Sequence, residues 1–313
     1  MYFGSVRFFK HIILSVVALL IVVPTTGFVY FAFQYNSLKV QTVKQIELMR
    51  TALAQYEGEY DYDARKRSSS FTVYASDQLP ETPDNALPYQ IKHPDLYIEN
   101  NFQYVQETEK TIYLTFDDGP TSLTSSVLDI LKDRDIRATF FVVYKNGYEA
   151  RALYQRIVDE GHVLGLHSAT HNYRAIYNSV DSFLDDIAAL SDMLESVTGV
   201  KPEILRFPGG SINSYNAGIH QELIAEMTRR GYTYFDWDAS AVDITRSATA
   251  DSVRSNVLNG ISGKHRSIVL MHDVGNFATV TALPGIIDSL TASGYQFEVL
   301  DKTIRPIRFD YPN

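Results

Sequence analysis

The chain has 313 residues, of which 45% are hydrophobic and 21% are charged, a composition typical of a protein that buries a substantial core. Its net charge of −9 and pI of about 5.4 argue against nucleic-acid binding, because such proteins concentrate Lys and Arg. The chain contains no cysteine, which excludes disulfides, thiolate metal sites and a cysteine nucleophile.

The N-terminal third of the chain differs from the rest. Residues 12–33 carry no charge and could cross a bilayer as a helix, which predicts a tail and membrane anchor over residues 1–33. A cleaved signal peptide, cut near residues 24–27, is the alternative, although the apolar stretch continues further than a signal peptide requires. The apolar spacing over residues 34–57 predicts a helical stalk able to form a weak homodimer, and the polar residues 58–103 predict a linker.

Strand-like and helix-like runs alternate over residues 104–313, which we interpret as one domain. The predicted strands are 111–117, 138–143, 162–167, 204–208, 232–238, 267–273 and 295–300, and the predicted helices are 123–134, 148–160, 180–197, 218–230, 250–261 and 280–293. This alternation predicts an α/β fold with a parallel sheet, either an open wound sheet or a barrel. In both cases functional side chains are expected at the carboxyl ends of the strands.

Ionisable residues follow several of these strands. Asp117 and Asp118 end the first strand, and adjacent carboxylates are best tolerated when one meets a cation and the other stays free. His167 ends the third strand and His171 follows it, so Asp118 and the two histidines form a two-histidine, one-carboxylate metal set. Such a metal lowers the pKa of bound water towards ~7 and polarises a carbonyl. Asp117 is then expected to act as the base towards that water, and His272 as the acid that protonates a leaving nitrogen.

Each motif also has an ordinary explanation when it is considered alone. The His-x-x-x-His pair arises by chance, Arg206 fits a simple salt bridge, and Trp237 fits a core position. Non-haem iron oxygenases use the same metal set, but on an all-β scaffold that the alternating pattern argues against. The convergence of these groups on one rim favours the metal-site interpretation.

Five segments in this order, TFDDG, HSATH, RFPGG, FDWDASAVD and LMHD, resemble the polysaccharide deacetylase family (NodB homology domain, carbohydrate esterase family 4). The resemblance covers the chain from about residue 110 onwards. It implies a distorted (β/α)7 barrel that hydrolyses N-acetyl groups of GlcNAc-containing polymers with Zn²⁺, or with another divalent ion such as Co²⁺, Mn²⁺ or Ni²⁺. It also implies the metal ligands and the acid and base given above.

The resemblance implies roles for four further residues. Arg206 would hold Asp117, the N–H of Gly209 would stabilise the oxyanion, Leu270 would line the acetyl pocket and Trp237 would be the aromatic residue of the groove. The family usually has an aromatic residue or Arg at the position of Gly209, so a side-chain contact with the sugar is expected to be lost here.

The fourth motif departs further from the family pattern. The family commonly has Asp-x-x-Asp-Trp, whereas the aligned positions here are Ser240, Asp243 and Ile244. The first Asp normally steadies the acidic histidine, so the support of His272 is in question and Asp243 is a candidate replacement.

Together these features predict a carbohydrate deacetylase, a hydrolase of linear amide bonds, acting on peptidoglycan or another GlcNAc polymer. The predicted location is the cell membrane, single-pass, with the catalytic domain extracellular. An O-acetyl polysaccharide esterase with the same site is one alternative. A non-catalytic wall-binding protein with a degenerate barrel is the other.

Overall fold

A computed structural model describes residues 86–105, 110–274 and 277–310, all of which lie in one compact unit, Pro80–Asn313. After a short 3-10 helix, Pro88–Gln90, strands and helices alternate. The strands are β1 (Thr111–Asp117), β2 (Thr139–Val143), β3 (Val163–Ser168), β4 (Ile204–Leu205), β5 (Thr233–Tyr234), β6 (Ala239–Ser240), β7 (Arg266–His272) and β8 (Gln296–Glu298). The helices are α1 (Thr124–Lys132), α2 (Tyr148–Asp159), α3 (Tyr173–Ile176), α4 (Val180–Thr198), α5 (His220–Arg229), α6 (Ala250–Ile261) and α7 (Ala278–Ala292).

The strands form one parallel sheet in the order β5-β4-β3-β2-β1-β7-β6. β8 pairs with the first residues of β1, whereas β2 pairs with its last residues. The sheet curls into a parallel half-barrel, consistent with a distorted (β/α)7 barrel. The α/β fold predicted from the sequence is confirmed, and the carboxyl ends of its strands meet at one rim.

The alternation of side chains along β1 divides the core into two layers. Ile112, Leu114 and Phe116 pack in the large cluster between the sheet and the helices. Tyr113 points to the other side of the strand, into a smaller apolar cluster. Asp117, four residues later in the same strand, points to the same side as Tyr113. Both sides of β1 are buried, which explains why its sequence is mostly apolar. The strand ends in Asp117, whose carboxylate faces the concave interior.

Two predicted strands differ from the observed ones. The predicted strand 204–208 ends as β4 at Leu205, and Pro208 beyond it has no N–H to donate to a ladder. Of the predicted strand 232–238 only Thr233–Tyr234 is a strand, β5; β6 begins just beyond it at Ala239, and the two stand at opposite ends of the sheet order. Between them the N–H of Asp236 donates to the carbonyl of Ile307 at 2.9 Å, so the chain crosses from one sheet edge to the other there.

The N-terminal predictions fall mostly outside the part of the chain that the structure describes. This applies to the anchor over residues 1–33, to the stalk and its homodimer over residues 34–57, and to the linker before residue 86. Among the described residues no helix has both the length and the apolarity needed to span a bilayer. On that finding the predicted single-pass membrane location is wrong.

The described end of the predicted linker packs against the rest of the unit. Leu96 and Ile98 are buried, and the N–H of Ile98 donates to the carbonyl of Arg230 at 2.8 Å. The Arg230 side chain in turn donates to the carbonyls of His93 and Lys92, both at 2.7 Å. These contacts join residues 86–100 to α5, and the predicted domain boundaries otherwise stay predictions.

Candidate active site

The turn after β1 brings two neighbouring carboxylates to the same side of the sheet. In a continuous strand Asp117 and Asp118 would point to opposite faces. Asp118 instead adopts the left-handed conformation, with φ 71°, so the alternation stops and its carboxylate reaches towards β3. Gly119 follows, and a Cβ there would collide with the carboxylate of Asp273. The turn therefore requires glycine at position 119, and the left-handed conformation at position 118 is one that aspartate adopts more readily than most residues.

Asp118, His167 and His171 form a candidate metal-binding triad. Their ligand atoms all lie within 4.8 Å of one another. Asp118 Oδ1 is 3.3 Å from His167 Nε2 and 3.1 Å from His171 Nε2. His167 Nδ1 lies 2.8 Å from the carbonyl oxygen of Arg206; when it donates to that oxygen, the lone pair of Nε2 points towards Asp118.

The electrostatics of the triad fit a cation. Asp118 Oδ1 is buried and accepts no hydrogen bond from any described residue, an expensive state for a carboxylate unless a cation meets it. Burial raises the pKa of Asp118, but the adjacent histidines outweigh this effect and lower its pKa to about 2. Burial lowers the pKa of His171, which favours the neutral imidazole that binds metals. For His167 burial acts in the same direction, but the charges of Asp117 and Asp118 raise its pKa, so the pocket attracts positive charge.

The loop that carries the two histidines is held by a residue that the sequence did not point to. Asp186 of α4 is buried and accepts hydrogen bonds from Ser168 Oγ at 2.6 Å and from the N–H of Ala169 at 2.7 Å. Its other oxygen accepts from the N–H of Thr170 at 2.9 Å and from Thr170 Oγ1 at 2.7 Å. Ser168 Oγ also accepts from the N–H of His171 at 2.8 Å, which fixes a residue in the left-handed conformation.

Arg206 holds Asp117 at the base of the site. This fully buried guanidinium donates to Asp117 Oδ1 at 2.8 Å and to Thr115 Oγ1 at 2.7 Å. It also donates to the carbonyl of Phe235 at 3.0 Å and lies over the ring of Phe141 at 4.3 Å. Asp117 Oδ2 accepts no hydrogen bond within the described chain, and His167 Nε2 lies 3.9 Å from it. One oxygen of Asp117 is therefore fixed while the other remains available.

His272 ends β7 next to Asp117, its register partner on β1, and is supported by Asp243. Its Nδ1 lies 2.8 Å from Asp243 Oδ1, and its backbone N–H donates to Asp243 Oδ2 at 2.8 Å. Thr279 Oγ1 donates to the same Oδ2 at 2.6 Å. Burial lowers the pKa of His272, but the bond to Asp243 and the charges of Asp117, Asp243 and Asp118 outweigh it and raise that pKa. Asp243 thus supports His272 from a position three residues beyond the half-buried Ser240.

The remaining predicted site residues line the same concavity. Leu270 is buried and lies two residues before His272, on the same side of β7. Trp237 is half-buried, 5.6 Å from the Arg206 guanidinium, and its ring contacts Phe309 at 4.9 Å. Gly209 is exposed with φ 77°, and its N–H donates to no described residue.

Comparisons with known proteins agree with this geometry. The sequence profile of the family described as polysaccharide deacetylase matches residues 104–234. A putative polysaccharide deacetylase of Bacillus subtilis, YheN, is 33% identical over 89% of this chain and 95% of its own length. The chain belongs to the polysaccharide deacetylase family.

Two further relatives carry more specific names. A peptidoglycan-N-acetylglucosamine deacetylase of Bacillus cereus is 31% identical over 65% of this chain and 74% of its own length. The crystal structure of the catalytic domain of peptidoglycan N-acetylglucosamine deacetylase from Eubacterium rectale matches with a TM-score of 0.64 and 35% identity, over 67% of this chain and 97% of that domain. Deacetylases are hydrolases, so the predicted family and enzyme class are confirmed.

Three residues that organise this site were not singled out in the sequence. Asp186 lies within a helix and carries no motif. Asp236 is buried and accepts from the N–H of Ser211 at 2.8 Å, which ties down the loop after Gly209. Tyr173 packs against His171, with ring centroids 5.2 Å apart. Its position two residues after His171 was the one sequence signal for it.

Proposed function

We propose that this chain is a metal-dependent deacetylase that hydrolyses N-acetyl groups of GlcNAc residues, with peptidoglycan as its substrate. The observation that carries the proposal is the buried Asp118 Oδ1, which lies near two imidazole nitrogens and accepts no hydrogen bond from any described residue. A non-catalytic wall-binding protein would not need such an atom beside a held carboxylate and a held histidine.

Asp118, His167 and His171 would hold the metal, which we infer to be Zn²⁺ or a similar divalent ion. When bound, such an ion supplies Lewis acidity that activates water and polarises the amide carbonyl. Three protein ligands are the number found in catalytic zinc sites, which keep a coordination position open.

Asp117 would act as the general base. Its Oδ1 is fixed by Arg206, so Oδ2 is the oxygen that takes the proton of the attacking water. The buried ion pair with Arg206 keeps Asp117 oriented and prevents its carboxylate from swinging towards the metal ligands.

His272 would act as the general acid. Asp243 engages Nδ1, so the proton for the leaving nitrogen resides on Nε2. The N–H of Gly209, which donates to none of the described residues, would stabilise the oxyanion that forms when water adds to the carbonyl. The C–N bond then breaks, which yields acetate and a free amine on the sugar. Leu270 would line the side of the pocket that receives the acetyl methyl group.

The substrate class rests on the relatives. The Bacillus cereus and Eubacterium rectale proteins are named for peptidoglycan N-acetylglucosamine, and they match this chain at 31% and 35% identity. The bond attacked in peptidoglycan is an N-acetyl amide, whereas an O-acetyl esterase would release acetate from an ester and leave a hydroxyl.

The direct test is acetate release by the purified full-length chain, with Zn²⁺ added. N-acetylated peptidoglycan, chitooligosaccharides and O-acetylated xylan would be compared, each with wild type and with Asp117→Asn. We expect acetate from the two amide substrates and a loss of at least about a hundredfold in the variant, the usual scale of acid–base catalysis. Release from xylan alone would favour the esterase, and release from none would refute the proposal.

A further inference from the structure

A pair of tyrosines extends outwards from the candidate metal ligands. Tyr173, the first residue of α3, packs edge-on against His171, with ring centroids 5.2 Å apart. Tyr215, in the loop after β4, lies next to Tyr173, with centroids 5.1 Å apart and planes inclined by 55°. Tyr215 is 53% exposed, so the aromatic surface begins at a metal ligand and ends in solvent.

Tyr173 fills the space that a side chain at position 209 would need. A Cβ on Gly209 would lie 2.8 Å from Tyr173 Cε1 and 3.2 Å from Tyr173 Oη. Contacts as short as 2.8 Å are not tolerated between packed carbon atoms, so glycine and Tyr173 belong together. The aromatic contact expected to be lost at Gly209 is thus replaced by a ring from a different segment.

The two rings are held in place by the loop after β4. Asn213 Oδ1 accepts from the N–H of Tyr215 at 2.8 Å, while Asn213 Nδ2 donates to the carbonyl of Pro208 at 3.1 Å. Tyr177 packs against Tyr173 at 6.1 Å and donates to the same Pro208 carbonyl at 2.8 Å. The tyrosine pair is therefore built on hydrogen-bonded backbone.

The hydroxyl of Tyr173 is available to a ligand. Within the described chain its Oη makes no hydrogen bond, although the ring is half-buried. A phenol hydroxyl carries one O–H group, so Tyr173 Oη can donate to an acceptor on a ligand. A phenol that can donate, beside an exposed ring, presents one polar and one apolar contact.

We propose that Tyr173 and Tyr215 form a carbohydrate subsite in which Tyr173 contacts the acetylated sugar and Tyr215 stacks on the next sugar of the polymer. A pyranose has an apolar C–H face and a polar edge, which match an exposed aromatic ring and a neighbouring hydroxyl donor. This inference rests on the proposed function, since it names how the substrate of that same site is held.

The test is the dependence of kinetics on substrate length. The full-length chain, Tyr215→Ala and Tyr215→Phe would be assayed for acetate release from N-acetylglucosamine and from its oligomers. Val200→Ala is the matched control, because Val200 is 41% exposed and precedes β4 at the opposite end of that strand. We expect Tyr215→Ala to raise KM for the oligomers about three- to tenfold with kcat nearly unchanged, and to leave the monosaccharide unaffected. Tyr215→Phe should resemble wild type.

An equal effect on monosaccharide and oligomers, or an effect on kcat alone, would overturn the subsite. Tyr173→Phe adds a second measurement, because loss of its hydroxyl should raise KM for substrates of every length. Calorimetric binding of the hexasaccharide to wild type and to Tyr215→Ala separates this inference from the proposed function. Weaker binding by the variant supports the subsite even if no acetate is released, whereas equal binding, or none to wild type, overturns it.

Discussion

Replacement of Asp186 by Asn should weaken metal binding without touching a metal ligand. The carboxylate accepts four hydrogen bonds from the loop between His167 and His171, two at each oxygen. In Asp186→Asn an NH₂ group replaces one oxygen, so at least one backbone N–H of the loop faces a donor. A buried donor left unpaired costs about 1–3 kcal/mol.

The four hydrogen bonds hold the loop in the conformation in which both imidazoles face Asp118. The substitution therefore destabilises this metal-binding conformation of the loop. We therefore expect the affinity for Zn²⁺ to drop about 10- to 100-fold, the usual scale for residues that orient metal ligands. Competition with a chromogenic chelator at constant pH measures the affinity of the full-length chain.

Asp192→Asn is the matched control, since Asp192 lies on the same helix and is exposed. It should bind the metal as tightly as wild type. Thermal unfolding of the metal-free proteins separates a loss of affinity from a loss of folding. A folded Asp186→Asn protein with unchanged metal affinity would refute the reasoning.

Three other predictions concern charge. Asp243→Asn removes contacts that raise the pKa of His272, so the high-pH limb of kcat should move to lower pH; an unmoved limb in a pH–rate profile would argue against His272 as the acid. Arg206→Met leaves Asp117 buried without its partner, so urea unfolding should show a loss of about 3–5 kcal/mol and acetate release should cease; wild-type stability would mean that the pair is not buried in solution. Burial lowers the pKa of His162 to about 4, so below its ordinary value of 6.5 the unfolded chain binds a proton that the folded chain does not. The stability of wild type should therefore fall by up to about 3 kcal/mol as the pH drops from 6.5 to 4, and His162→Asn should fall less steeply; parallel curves would contradict this.

The site residues that could be predicted from the sequence are those at or next to the end of a strand. Asp117, Asp118 and His272 each end or directly follow a strand that pairs with its neighbour in register, as Asp117 does with His272. Parallel pairing alone brings such residues to one rim, so the sequence was sufficient to group them.

The parts that could not be predicted depend on local backbone geometry. The sequence offered Asp243 only as a candidate support for His272, because Asp243 reaches the histidine from a turn in which Val242 has φ 52°, an uncommon conformation for a β-branched residue that no sequence pattern announces. The replacement of a side chain at Gly209 by Tyr173 depends on the packing of two loops that are distant in sequence. The predicted strand 232–238 is cut short at Tyr234, because the chain then crosses to the other edge of the sheet, where β6 begins at Ala239.

The position of the chain in the cell was predicted from its most apolar segment and is not supported by the described structure. That segment, residues 12–33, lies outside the described residues, and the membrane prediction rested on the length of this one uncharged stretch. By contrast, the fold prediction used the alternation of strand-like and helix-like runs together with the spacing and order of the motifs. The fold prediction was confirmed because several independent sequence patterns agreed.

The central claim is that one divalent ion, held by Asp118, His167 and His171, is required for deacetylation. The measurement is a titration of the chelator-treated full-length chain with Zn²⁺, in which metal content and acetate release from N-acetylated peptidoglycan are followed together. We predict that both rise in parallel to one equivalent of metal, and that Asp118→Ala gains neither. Full acetate release by the metal-free chain, or by Asp118→Ala, would contradict the account.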